Sequence, residues 1–82
     1  MITCDQYDYI EIVCLYRYPV RLTLKTGARV DGTAIDTGRN PSGAECLQLS
    51  HEGDTSLVPL DDITRLDVCV ENPHVQSVSF LE

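Results

Sequence analysis

The stretch that decides the fold is Pro19-Val20-Arg21-Leu22-Thr23-Leu24-Lys25-Thr26-Gly27-Ala28-Arg29-Val30-Asp31-Gly32-Thr33-Ala34-Ile35. From Pro19 to Lys25 apolar and polar residues alternate with period two, which is the pattern of a half-buried strand. Thr26-Gly27-Ala28 supplies a turn, and the run from Arg29 to Ile35 reads as the returning strand of a hairpin. The apolar parity of that second strand changes between Val30 and Ile35, close to Gly32, which predicts a bulge or sharp bend there. A strongly bent strand is how a short sheet curls toward a barrel.

Working outward toward the C-terminus, Asp36 to Gly43 reads as a loop from its Gly, Pro, Asn and Ser content. Alternation resumes over 45–51, Glu52-Gly53-Asp54 makes a turn, and further strands are expected over 55–60 and 64–70. The last of these would place Leu66, Val68 and Val70 on its inner face, and Pro73 breaks it. A short sixth strand over 75–80 is consistent with Val78 and Phe80 set between polar residues. With the first two strands at 19–26 and 28–36, the expected fold is a mainly β single domain: a small, strongly bent, five- to six-stranded antiparallel barrel.

Toward the N-terminus, Cys4-Asp5-Gln6-Tyr7-Asp8-Tyr9-Ile10-Glu11-Ile12-Val13-Cys14 breaks this alternation and reads as a helix over about 5–16. At 100° per residue Asp8, Glu11 and Leu15 fall on one side, and Ile10, Val13 and Cys14 share a separate apolar arc. Asp5 is placed as the N-cap, with Asp8 in the first turn, where negative charge is favoured. By pattern alone, these acids either cap and solvate the helix or face a partner.

Composition narrows the function. The 82 residues carry six Lys and Arg against thirteen Asp and Glu, a net charge of −7. That field repels phosphate backbones and attracts basic surfaces, so a positively charged protein is the expected partner and direct nucleic-acid binding is disfavoured. A chain this short buries only about 60–65% of its unfolded surface, which leaves no room for a large catalytic cavity. No Ser-His-Asp order, phosphate-cradling glycine loop or pocketed carboxylate pair can be argued, so neither enzyme activity nor a cofactor is expected.

The four cysteines, Cys4, Cys14, Cys46 and Cys69, include no Cys-x-x-Cys pair, and with His51 and His74 they lack the spacing of a zinc site. Cys4 and Cys14 lie about 15 Å apart on one helix and cannot bridge. The N-terminus has no basic segment followed by an apolar one, and no apolar run approaches membrane-spanning length. A cytoplasmic protein with reduced thiols and no membrane association is expected.

Two family resemblances attach to these residues. The segment Val20 to Asn40, with its alternating strand, Lys25-x-Gly27 turn, glycine-bearing bent strand and Asp36…Asn40, resembles the first signature of Sm-like proteins and implies an Sm-like barrel behind an N-terminal helix. A broader resemblance runs through Cys4-Asp5-x-Tyr7-Asp8-x-x-Glu11-x-x-Cys14, Leu24-Lys25-x-Gly27, Leu60-Asp61-x-Ile63-Thr64, and Pro73 followed by Val75, Val78 and Phe80. This is similar to the Rof (YaeO) family of inhibitors of the bacterial transcription terminator Rho.

The second resemblance implies that the chain binds the RNA-binding N-terminal region of Rho, blocks RNA engagement and acts without catalysis as an antiterminator. Carried over position by position, it implies that Asp5, Tyr7, Asp8 and Glu11 contact Rho, the acids pairing with Lys or Arg and Tyr7 packing where a base would stack. Tyr9, Arg39 and Asn40 are secondary candidates. The alternative is an Sm-type RNA-binding ring with Asp36 and Asn40 at the base-contacting loop. Net charge opposes it, as does Pro59 in the strand through which such rings pair, so a monomer is expected.

Overall fold

The computed structural model describes residues 3–80. Helix α1 runs Cys4–Leu15, followed by strands β1 Pro19–Leu24, β2 Arg29–Arg39, β3 Glu45–His51, β4 Asp54–Pro59, a 3-10 helix at Leu60–Asp62, β5 Ile63–Val68 and β6 Ser77–Ser79. All neighbouring strands pair antiparallel, in the order β4-β3-β2-β1-β5-β6. The mainly β fold with one N-terminal helix is therefore as expected. The sheet is not closed, because among the described residues β4 and β6 remain its two edges.

Its curvature follows from one short connection. β4 and β5 are separated by β3, β2 and β1, which in a flat sheet would hold them about 19 Å apart. The three-residue 3-10 helix that joins them spans only about 6 Å. The sheet must therefore wrap until its fourth and fifth strands nearly meet.

Two irregularities let it do so. On β2 the register with β3 shifts between Ala34 and Asp36, leaving Ile35 as the extra residue. On β5 the register with β1 shifts between Thr23 and Leu24, which pair with Arg65 and Ile63 and skip Thr64. The bulge expected near Gly32 thus lies just beyond it. Gly32 serves a different need: a Cβ there would stand 3.0 Å from the Ser50 carbonyl oxygen and 3.2 Å from the Leu49 Cβ, so only glycine allows the strands this close.

The β5 bulge also changes which residues face inward. Ile63 joins Leu66 in the core and the half-buried Val68 packs against it, so the expected inner set of Leu66, Val68 and Val70 holds at its first two members, while Val70, beyond the strand end, is exposed. The core joins Ile10 and Val13 of α1 to Val20, Leu22, Ala34, Leu47, Leu49 and Leu66 of the sheet. Val75 and Val78 close it from the C-terminal segment.

β2 extends through Asp36, Thr37, Gly38 and Arg39, residues with loop-like composition that pair with Gln48, Leu47, Cys46 and Glu45. Tertiary pairing overrides their low β propensity here, and the connection shrinks to the turn around Asn40. The Asn40 Oδ1 accepts from the backbone N–H groups of Ser42 and Ala44, both at 3.0 Å. Arg39 Nη1 donates to the Gly43 carbonyl at 2.8 Å.

Candidate functional site

The N-cap of helix α1 is Thr3, not Asp5. The Thr3 hydroxyl accepts from the Gln6 backbone N–H at 3.2 Å, and the Gln6 Oε1 accepts from the Thr3 N–H at 2.9 Å, a reciprocal capping box. Asp5 therefore sits in the first turn, where the helix dipole favours it, and Asp8 lies one turn further in. The Thr3-x-x-Gln6 spacing carried this signal in the sequence.

Gln6 also ties the helix to the far edge of the sheet, because its Nε2 donates to the Ser79 carbonyl at 3.0 Å. One amide thus accepts at the cap and donates to β6. A glutamate at this position could do only the first.

The helix ends in a Schellman motif. The Tyr18 N–H bonds to the Val13 carbonyl at 3.0 Å and the Arg17 N–H to the Cys14 carbonyl at 3.2 Å, with Arg17 at φ 51°. This left-handed position usually holds glycine. Tyr16 stacks on Tyr18 on one side (ring centroids 5.5 Å) and on His74 on the other (4.5 Å), fastening the helix end to the C-terminal segment. This contact joins positions too far apart in sequence for any local pattern to show.

Between these two fixed ends the helix divides sharply. Ile10 and Val13 are fully buried, while Asp5, Asp8 and Glu11 are exposed. Asp8, Glu11 and Leu15 share one stripe with Cys4, and Leu15 is 73% exposed, the most exposed large hydrophobic residue among those described. Among the described residues the ion pairs are Arg21–Asp31, Arg65–Asp67 and His51–Glu52, and none of them involves a helix acid.

Tyr7 stands apart from this stripe. It is half-buried against the core, and its hydroxyl is held above the usual phenol value, chiefly by the hydrogen bond to the Glu45 carboxylate, with Thr37 acting in the opposite sense. Tyr9 lies on the exposed side at 39%. Arg39 and Asn40 build their own turn, and Arg39 pairs across the strands with the same Glu45 that meets Tyr7. The hairpin tip therefore lies at the Tyr7 end of the helix.

Cys14 faces the sheet beside β2. Burial, then the nearby charges of Asp36 and Glu11, push its thiol up to about 11, so it stays protonated and unreactive at neutral pH. All four cysteines are free. Among the described residues no group of three His, Cys, Asp or Glu side chains is placed to hold a metal ion, and no helix is long and apolar enough to cross a membrane.

Helix, sheet and surface together define a class: a small acidic mainly β module, with one helix laid along a wrapped sheet and its carboxylates turned outward. The same architecture occurs in a solved structure of YaeO bound to magnesium from Vibrio cholerae O395, which superposes with a TM-score of 0.87 at 41% identity and covers 93% of this chain and 99% of that one. The family described as modulators of Rho-dependent transcription termination (ROF) matches residues 1–80, and the chain belongs to it. No curated protein sequence matches significantly.

Proposed function

We propose that this chain inhibits Rho by docking the acidic face of α1 on the RNA-binding N-terminal region of Rho, so that the transcript cannot engage. The observation that carries the reading is the exposed stripe of Asp8 and Glu11, without an ion pair among the described residues, on a helix pinned at both ends. A protein that binds RNA presents Lys and Arg, and preorganised carboxylates substitute for phosphate against them. Asp5 continues the stripe toward the N-terminus.

Tyr7, half-buried against the core, adds its ring to the docking face, with Tyr9, Arg39 and Asn40 as secondary contacts. The chain acts without catalysis or cofactor, as a monomer, in the cytoplasm where Rho works. Pro59 at the end of β4 removes a ladder donor from that edge and disfavours ring assembly.

The test is a pull-down with purified Rho using Asp8→Lys combined with Glu11→Lys. Reversal of two interface charges should abolish capture, since close charge pairs are worth roughly 1–3 kcal/mol each. Capture at the parent level would refute docking through the helix. In a termination assay at a Rho-dependent site the parent chain should raise readthrough, and the double variant should not.

A further inference from the structure

The C-terminal half of α1 and the bulged part of β2 leave a slot between them. Glu11, Cys14 and Leu15 line one side and Ile35, Asp36 and Thr37 the other, around a cavity of about 430 Å³. A second hollow continues from Glu11 and Leu15 across Ile12 to Asp8. Ile35 reaches the slot because it is the extra residue of the β2 bulge, a device that re-aims a side chain.

The lining combines two chemistries that rarely share an exposed groove. Leu15 and Ile35 offer apolar surface, and Leu15 is left largely uncovered by the chain itself. Glu11 and Asp36 come from different elements, both line the slot, and both oppose ionisation of the Cys14 thiol in its lining. Asp36 accepts from the Thr37 N–H at 2.8 Å, which fixes its orientation. Arg17 also lines the slot, yet it pairs with neither acid among the described residues.

A purely apolar occupant would strip water from two carboxylates without compensation, and an anion would be repelled. A long side chain with an apolar stem and a cationic head meets both demands. The guanidinium, with donors on two edges of a plane, can bridge carboxylates on opposite walls where an ammonium would reach one at a time.

We infer that this slot is the seat of an arginine side chain of the protein partner, its stem covering Leu15 and its guanidinium bridging Glu11 and Asp36. The inference rests on the reading that α1 docks on Rho, and it extends the interface from the helix onto β2. Leu15 and Asp36 become binding residues, and Arg17, at the mouth, weakens the seat by repulsion.

The affinity of the full chain for purified Rho is measured across a salt series for Leu15→Ala, Asp36→Asn and Asp8→Lys/Glu11→Lys. All of these residues are exposed, so circular dichroism should confirm an unchanged fold. Leu15→Ala should weaken binding roughly tenfold with an unaltered salt dependence, because it removes apolar contact alone. Asp36→Asn keeps a side-chain acceptor for the Thr37 backbone N–H but loses the charge, and should weaken binding severalfold with a shallower salt dependence.

If Asp8→Lys/Glu11→Lys abolishes binding while Leu15→Ala and Asp36→Asn stay within twofold of the parent, the slot is refuted and the helix reading stands. If the two slot variants weaken binding and the double variant does not, the seat is refuted, because Glu11 is one of the two carboxylates it requires, and so is docking through the helix. Failure of the parent chain to bind Rho refutes both.

Discussion

Replacing Arg17 with glycine should stabilise this protein, although glycine next to a helix is ordinarily a liability. Arg17 holds φ 51° at the position just past the C-cap, where Cβ crowds the following carbonyl. A left-handed conformation costs an L-residue roughly 1–2 kcal/mol, whereas glycine adopts it freely. Against this, glycine brings about 0.5–1 kcal/mol of extra unfolded-chain entropy. Arg17 makes no ion pair among the described residues, so little else is lost.

The net expectation is a gain of about 0.5–1 kcal/mol, or roughly 2–8 °C in Tm for a domain of this size. The assay is thermal unfolding followed by circular dichroism, comparing the parent with Arg17→Gly and Arg17→Ala. Alanine keeps the Cβ and should change stability little, so the diagnostic result is glycine above alanine, the reverse of their order inside a helix. Glycine falling below alanine would refute backbone strain at Arg17.

Four further outcomes are expected. Gln6→Glu, nearly isosteric, should cost about 1 kcal/mol in chemical denaturation because the donor to the Ser79 carbonyl is lost while the capping acceptor remains. Gly32→Ala should cost about 1–3 kcal/mol, since its Cβ meets backbone and a strand side chain, while Gly38→Ala, whose Cβ would lie 3.8 Å from the nearest atom, should be tolerated. Thiol modification followed by mass spectrometry at pH 8 should label the exposed Cys4 and Cys69 before Cys14 and Cys46. Because the folded thiol of Cys14 titrates above its unfolded value, its contribution to stability is present at neutral pH and declines as pH rises from about 9 to about 11, and Cys14→Ala should remove that part of the alkaline loss.

The helix faces, the first hairpin and the outward acids were legible because they depend on local period, 3.6 residues in one case and two in the other. Ile10 and Val13 are buried while Asp8 and Glu11 are not, as the arcs required. What escaped depends on distant partners. Asp36 to Arg39 read as loop because their composition is poor for a strand, and only Glu45–Gln48 across the sheet make them one. Tyr7 read only as a partner contact because nothing local announces Glu45 and Thr37 beside its hydroxyl. The cap at Thr3 was a local signal outcompeted by Asp5, a residue equally suited to the role by type alone.

The three-residue link at Leu60–Asp62 also constrains the order in which the chain can fold. α1 and the β1-to-β4 meander rest on pairings between neighbouring segments, but β5 must find β1, Val68 opposite Val20, after most of the chain has been laid down. Such distant pairing is slow, and the short link means that β5 can reach β1 only once the meander has already curled. Lengthening this link with two or three glycines should let β5 pair before the sheet is fully wrapped and so speed refolding, while loosening the native state. A stopped-flow chevron would separate the two effects on its opposite limbs.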